Sequence, residues 1–351
     1  MRITLVSDAW APQVNGVVRT LTTTVDMLRA RGHVVQTITP DLFVSVPCPT
    51  YPEIRLALTT RRAVSRLIDE FRPEAIHIAT EGPLGWLARG WCAARGIPFT
   101  TSFHTRFPDY VAARTPLSTE WLWRQVTRFH APARHILVAT PRLAAELATH
   151  DLVQTQLWSR GVDLAAFSTD VPLHPTMVDL THPIQLSVGR VAVEKNLTAF
   201  LDLKGEGTKV VVGDGPALGG LRARYPDVVF LGPLYGAALA GAYRAADVFV
   251  FPSLTDTFGL VIIEALACGT PVAGFPVAGP LDIIGEDGLG VAGGTAPVGA
   301  VDVDLGQAIT RALAAERGAC ASYATHFSWD RCLDQFVAAL AGIEAPLSAS
   351  Q

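Results

Sequence analysis

In the segment SLTDTFGLVIIEALACGTP, Ser253–Pro271, two carboxylates stand eight residues apart, Asp256 and Glu264, in an otherwise apolar stretch. An isolated buried charge is costly, so acids in such a segment need partners. Phe258-Gly259 lies between them, and a glycine lets a ligand approach the backbone closely. Loop N–H groups entering a helix bind anions and hydroxyls, and carboxylates accept hydrogen bonds from hydroxyls. Asp256 then precedes a helix that begins near Leu260, and Glu264 lies just over one turn inside it. Spacing alone equally fits an N-cap aspartate followed by a solvated glutamate.

A second cluster is GRVAVEKN, in which Arg190 and Lys195 follow an apolar run. Two cations in a loop suit a diphosphate, the arginine as a planar fork and the lysine as a point charge. They can stabilise charge on a departing diphosphate without a metal. His104 follows FTTSF, where a lone histidine is more often structural than catalytic. In QVNGVV, Gly16 opens a helix after Asn15, and only a backbone can come close to a ligand there.

The elements that must hold these residues alternate. ITLVS, EAIHIAT, FTTSFH and HILVAT read as strands, with helical patterns such as VVRTLTTTVDMLRARGH and LGWLARGWCAARG between them. The alternation pauses in a proline-bearing stretch and resumes with IQLSVGR, KVVVGDGP, VVFLG and VFVFPS. An α/β fold follows, with two doubly wound Rossmann-like domains whose ligands sit beyond the carboxyl ends of the strands. The expected boundaries are 1–167 for the first domain, 168–182 for a linker and 183–327 for the second domain, with a last helix over 328–345.

Composition narrows the class. At 351 residues, 49% hydrophobic and 17% charged, the chain can build two cores, and no apolar run is long enough to span a bilayer. The start MRITLVSDAW does not read as a secretory signal. Five scattered cysteines without CxxC spacing point to reduced thiols in the cytoplasm. The net charge of −4 conceals an imbalance: Met1–Ala165 carries 18 arginines, no lysine and 13 acids, a net of +5, against −9 for the remainder. A basic half suits an anionic membrane surface, whereas no nucleic-acid motif accompanies it. The stretch Ser118–His135 interleaves Trp121, Trp123 and Phe129 with Arg124, Arg128 and Arg134. It fits a membrane interface or a core-facing helix with a basic outer side.

The ordered motifs carry a resemblance. LSVGRVAVEKNL, VVGDGP, FLGPL, ADVFVFPS and TDTFGLVIIEALACGTP, with WSRGVDLAAF and SFHTRFPDYV before them, resemble the retaining family 4 glycosyltransferases of the GT-B fold. The similarity covers nearly the whole chain. It implies an interdomain cleft between an N-terminal acceptor domain and a C-terminal nucleotide-sugar-binding domain, a last helix that returns to the first domain, a UDP- or GDP-linked sugar as co-substrate and no metal. It also implies that Glu264 grips ribose, Asp256 and the Phe258–Leu260 backbone hold sugar hydroxyls, and Arg190 and Lys195 hold the diphosphate. Gly16 would approach the donor and His104 the transferred sugar. Asn15, Arg106, Asp109 and Tyr110 would shape the acceptor side. Asp256 stands where many members have glutamate, which leans toward the lipid-glycosylating and GDP-mannose-dependent branch. A lipid acceptor such as diacylglycerol and peripheral attachment to the inner face of the plasma membrane are then expected. A soluble sugar or polysaccharide acceptor and a non-catalytic nucleotide-sugar-binding protein stay open, as does the oligomeric state.

Two signals point elsewhere and are set aside. Asp302-Val303-Asp304 has a metal-site spacing but directly precedes a helical pattern, so it reads as a helix cap. GDGPALG does not have the G-x-G-x-x-G spacing of a dinucleotide fingerprint, and Pro216 weakens that reading further.

Overall fold

A computed structural model describes residues 1–13, 15–48, 51–104, 118–254, 258–340 and 342, without the side chains of 48 and 51–54. The chain divides into two compact units, one of Met1–Ser159 with Cys332–Gln351 and one of Arg160–Arg331.

The first unit is built on a six-stranded parallel sheet in the order β2-β1-β5-β6-β7-β8. The strands are β1 (Arg2–Val6), β2 (Val34–Ile38), β5 (Ala75–Ile78), β6 (Thr100–Phe103), β7 (His135–Val138) and β8 (Thr155–Leu157). All four residues of β5 and of β6 are buried, and the polar ones among them are paired: His77 with Thr100 and Ser102, and Thr101 with His130. The reversal of strand order lies between β1 and β5. Helices cross between strands, each started by a local signal. Asn15 caps Gly16–Ala30 by accepting from Val18 N, and Thr60 caps Arg61–Phe71 through Ala63 N. Pro83–Arg95 ends at Gly96 in the left-handed region, φ 64°. The core gathers Trp91, Phe99, Phe103, Trp123 and Phe129 around the sheet.

The second unit repeats the plan with β9 (Ile184–Val188), β10 (Thr208–Val212), β11 (Val229–Gly232), β12 (Val248–Phe251), β13 (Val272–Gly274) and β14 (Gly299–Val301). Their order is β11-β10-β9-β12-β13-β14, all parallel, with the reversal between β9 and β12. The expected α/β architecture of two doubly wound units is thus present.

Several boundaries differ from the sequence reading. The second unit begins at Arg160, because Val162 N donates to Phe327 O at 2.8 Å and Gly161 packs on the Trp329 ring. Residues 168–182, expected as a linker, belong to the second unit. Arg244 donates to Val171 O, His174 N to Gly241 O at 3.1 Å, and Met177 is buried. A β3–β4 hairpin (Ser45–Cys48, Tyr51–Ala57) stands apart from both sheets and was not foreseen. Its prolines, Pro47 and Pro52, argue against a strand reading. The final helix is Trp329–Ala339, and beyond Cys332 it belongs to the first unit. Phe336 is fully buried there against Trp158 and His77, at ring distances of 4.9 and 5.0 Å. No helix among the described residues is long and apolar enough to cross a membrane.

Candidate active site

In open α/β sheets, ligands bind beyond the strand carboxyl ends where the order reverses. In the second unit that point is flanked by the loops after β9 and β12, which carry Arg190 with Lys195 and Phe258 with Gly259. Topology therefore brings two separately noticed motifs to one edge. Arg190 is exposed and Lys195 half-buried. Lys195 ends a short 3-10 turn, Val193–Lys195, and Asn196 follows in the left-handed region, φ 52°. Its Nδ2 donates to Pro252 O at 3.1 Å and so fastens the first loop to the second. The fastening role of Asn196 was missed, although its place directly after Lys195 was visible.

The GDGP turn supports the Arg190 loop. A Cβ on Gly213 would lie 1.9 Å from Gly189 O, and one on Gly215 2.4 Å from Val191 O. Val191 N donates to Asp214 O at 2.9 Å, so the two loops lie backbone to backbone. These glycines serve close packing between loops.

After β12, Phe258 turns into the core, 6% exposed and edge-on to Phe327 at 6.2 Å. Gly259 adopts φ 85° and begins the helix Leu260–Ala267, whose N-terminus has no side-chain cap. The N–H groups at this start are the donors a hydroxylated or anionic ligand needs. Asp256 lies outside the described residues. Glu264 is neither solvated nor openly presented: it is 2% exposed, and Tyr243, itself fully buried, donates to its Oε2 at 3.0 Å. The hydroxyl partner offsets the desolvation of this acid inside an apolar helix. The sequence contained Tyr243 but no pattern linking it to Glu264.

In the first unit the reversal is flanked by the loops after β1 and β5. Gly16 is exposed at the first position of its helix, beside Asn15, whose Oδ1 accepts from Val18 N at 3.0 Å and whose Nδ2 reaches Gln13 at 3.3 Å. Asn15 thus shapes the helix start as a cap. His104 follows β6, 8% exposed, with its ring edge-on to Trp158 at 5.5 Å. Arg106, Asp109 and Tyr110 lie outside the described residues.

Asp8 is a residue the motifs did not suggest. It accepts from Leu84 N at 3.0 Å, Gly85 N at 3.3 Å and Thr80 Oγ1 at 3.1 Å, capping Pro83–Arg95 from a distant loop. A Cβ on Gly82 would lie 2.4 Å from its carboxyl carbon, so the local cap position is left to glycine. Burial raises the Asp8 carboxyl to about 6 against the lowering effect of those hydrogen bonds, and nearby Glu81 adds to the rise.

Asp304 caps the helix Leu305–Ala312 by accepting from Gly306 N and Gln307 N, while Asp302 pairs with Arg311 at 3.2 Å. Among the described residues no group of histidines, cysteines and acids could hold a metal. A cavity of about 420 Å³ lined by His182, Asp247 and Arg317 opens at the N-terminal edge of the second sheet, at the opposite end from the loops above.

Residues 14–166 match the model for glycosyltransferase family 4, and residues 182–314 that for glycosyl transferases group 1. A GDP-mannose-dependent alpha-mannosyltransferase of Mycolicibacterium smegmatis is 32% identical over 81% of this chain and 82% of its own length. The chain belongs to the family 4 glycosyltransferases. An alpha-monoglucosyldiacylglycerol synthase of Streptococcus pneumoniae is 28% identical over 78% of this chain and 70% of its own. Sucrose-phosphate synthase from Thermosynechococcus elongatus shares the fold, with a TM-score of 0.70 at 24% identity over 96% of this chain and 97% of that one. This glycosyltransferase is therefore an enzyme of GT-B architecture that uses a nucleotide sugar.

Proposed function

We propose that this glycosyltransferase moves a hexosyl group from a nucleotide-diphosphate sugar, GDP-mannose first among them, to a membrane-lipid hydroxyl such as that of diacylglycerol, retaining the anomeric configuration. The observation that carries the donor side is the meeting of the Arg190–Lys195 loop and the uncapped Leu260–Ala267 helix at the reversal of the second sheet. Arg190 and Lys195 take the diphosphate and stabilise it as it leaves. Asp256 and the Phe258–Leu260 backbone hold the sugar hydroxyls, and Glu264, oriented by Tyr243, accepts from the ribose. His104 contacts the transferred sugar. Attack then comes from the face the diphosphate leaves, with a diphosphate oxygen taking the acceptor proton. The donor choice is supported by mannosyltransferase relatives, and the acceptor choice by diacylglycerol-acting ones.

The helix Thr119–His130 buries Trp123, Val126 and Phe129 and leaves Trp121, Arg124 and Arg128 exposed. Its inner side is core, and its outer side has the composition of a membrane-facing surface. A thermal-shift screen of GDP-mannose, UDP-glucose and UDP-glucuronate tests the donor, since a ligand of the folded state raises Tm. The expected result is a rise with GDP-mannose and lipid-linked mannose on adding diacylglycerol vesicles. A rise with UDP-glucose alone would overturn the donor, and product only with soluble sugars would overturn the acceptor.

A further inference from the structure

The carboxyl ends of β1 and β5 flank the reversal of the first sheet, with β6 next to β5, beside a side-chain relay that the donor reading leaves unused. His130 is fully buried, with Nδ1 2.8 Å from Thr101 Oγ1 and Nε2 3.1 Å from Glu81 Oε1. The rings of Phe129 and Phe103 hold it edge-on at 5.0 and 5.9 Å. The two contacts, one at each ring nitrogen, fix the orientation of the imidazole between Thr101 and Glu81.

Glu81 is 22% exposed, and among the described residues its other oxygen has no hydrogen bond and no arginine or lysine pairs with it. It follows β5 directly and precedes the helix Pro83–Arg95, at the flank of the crevice. Asp8, on the β1 flank, is occupied by two backbone N–H groups and Thr80. The two acids thus divide the work: Asp8 fastens the loops, and Glu81 presents one oriented oxygen outward. A solvated surface acid needs no buried histidine behind it. Holding a carboxylate in one direction is what recognition of a hydroxyl requires.

We propose that Glu81, held by His130 and Thr101, is an acceptor-binding carboxylate of the first unit that takes a hydroxyl of an uncharged glyceride or sugar. This rests on the glycosyl-transfer reading above. A carboxylate here also repels anions, so an acceptor bearing phosphate beside its hydroxyl is disfavoured.

Two acceptor probes distinguish the source of the hydroxyl: dioleoylglycerol in mixed micelles and methyl α-mannoside in solution. Glu81→Gln is expected to raise the acceptor KM at least tenfold while the GDP-mannose-induced rise in Tm stays as in the wild type. Thr101→Val, nearly isosteric, is expected to raise the acceptor KM severalfold through a looser His130. If Glu81→Gln does not fold, Glu81→Asp keeps the charge but draws it back by one methylene, and the same acceptor-side loss is expected. An unchanged acceptor KM in a folded Glu81 variant, an equal loss of the donor response, or wild-type transfer to neither probe overturns the assignment. A wild-type protein that responds to no nucleotide sugar overturns instead the reading beneath it.

Discussion

At the scale of single residues, charge placement decides what each variant should do. Lys195→Ala removes a point charge from the departing diphosphate, and kcat should fall about 100-fold or more by comparison with lost transition-state donors. A steady-state assay in which kcat stays within threefold would remove Lys195 from that role. Asp256→Glu lengthens the acid beside the sugar and should change the ranking of nucleotide sugars; an identical ranking would take Asp256 out of sugar recognition. Asp8 supplies a pH dependence. Its carboxyl rises from 3.8 to about 6, so burial favours the protonated form in the folded state. The resulting stabilisation is complete below 3.8 and is lost as pH climbs through 6, a change on the order of 3 kcal/mol. Tm should therefore decline from pH 4 to pH 7 more steeply in the wild type than in Asp8→Asn, and parallel curves in calorimetry would refute it. Arg190 and Lys195 were visible in the sequence as two cations in a loop after a strand, and the topology puts that loop at the reversal of the second sheet. Glu264 was legible only as a position: its partner Tyr243 comes from a helix 21 residues earlier, and no local spacing encodes that contact.

At the scale of elements, loops are set by backbone geometry that a glycine permits. Gly259 sits at φ 85°, and a Cβ there would meet Ile262 at 3.0 Å. Gly259→Ala should cost about 1–2 kcal/mol and weaken donor binding, read as a higher Kd in titration calorimetry; an unchanged Kd would free the helix start from donor recognition. Asp304→Ala tests the opposite case. Loss of its cap should lower stability by about 1 kcal/mol while kcat and the response to chelator stay put, and a metal-dependent loss of activity would restore the rejected reading. Helices with capping signals and strands of apolar runs were readable from the chain. The β3–β4 hairpin was not, since its strands carry prolines that normally exclude them. The 168–182 stretch misled because prolines and weak periodicity also describe a segment laid flat on a neighbouring helix.

At the scale of the whole molecule, the sequence reading expected two α/β units and a returning last helix, and it placed the first division at 167/168 where the units part at Ser159/Arg160. The first crossing, at Ser159–Arg160, lies in a segment whose pairing partner is some 165 residues downstream, at Phe327 and Ser328. Charge is the property most plainly carried over: the arginine-rich half and the acidic remainder correspond closely to the two units. If the basic unit meets anionic lipid, vesicles rich in phosphatidylglycerol should carry the protein on flotation at low salt and release it near 0.5 M, where screening shortens the reach of surface charge to a few ångströms. Protein left at the bottom of the gradient at low salt would count against a membrane acceptor.

The returning helix has a consequence for how the protein is made. Leu333 and Phe336 are 1% and 0% exposed within the first unit, and Ala75 bridges to Gly342. The first unit leaves the ribosome early, yet it lacks part of its interior until Cys332 and the residues of the returning helix have been made. The second unit is born complete in between. Emerging domains fold as units, so the later-born half is expected to reach its final state first, while the earlier-born half waits with an open seam for the returning helix.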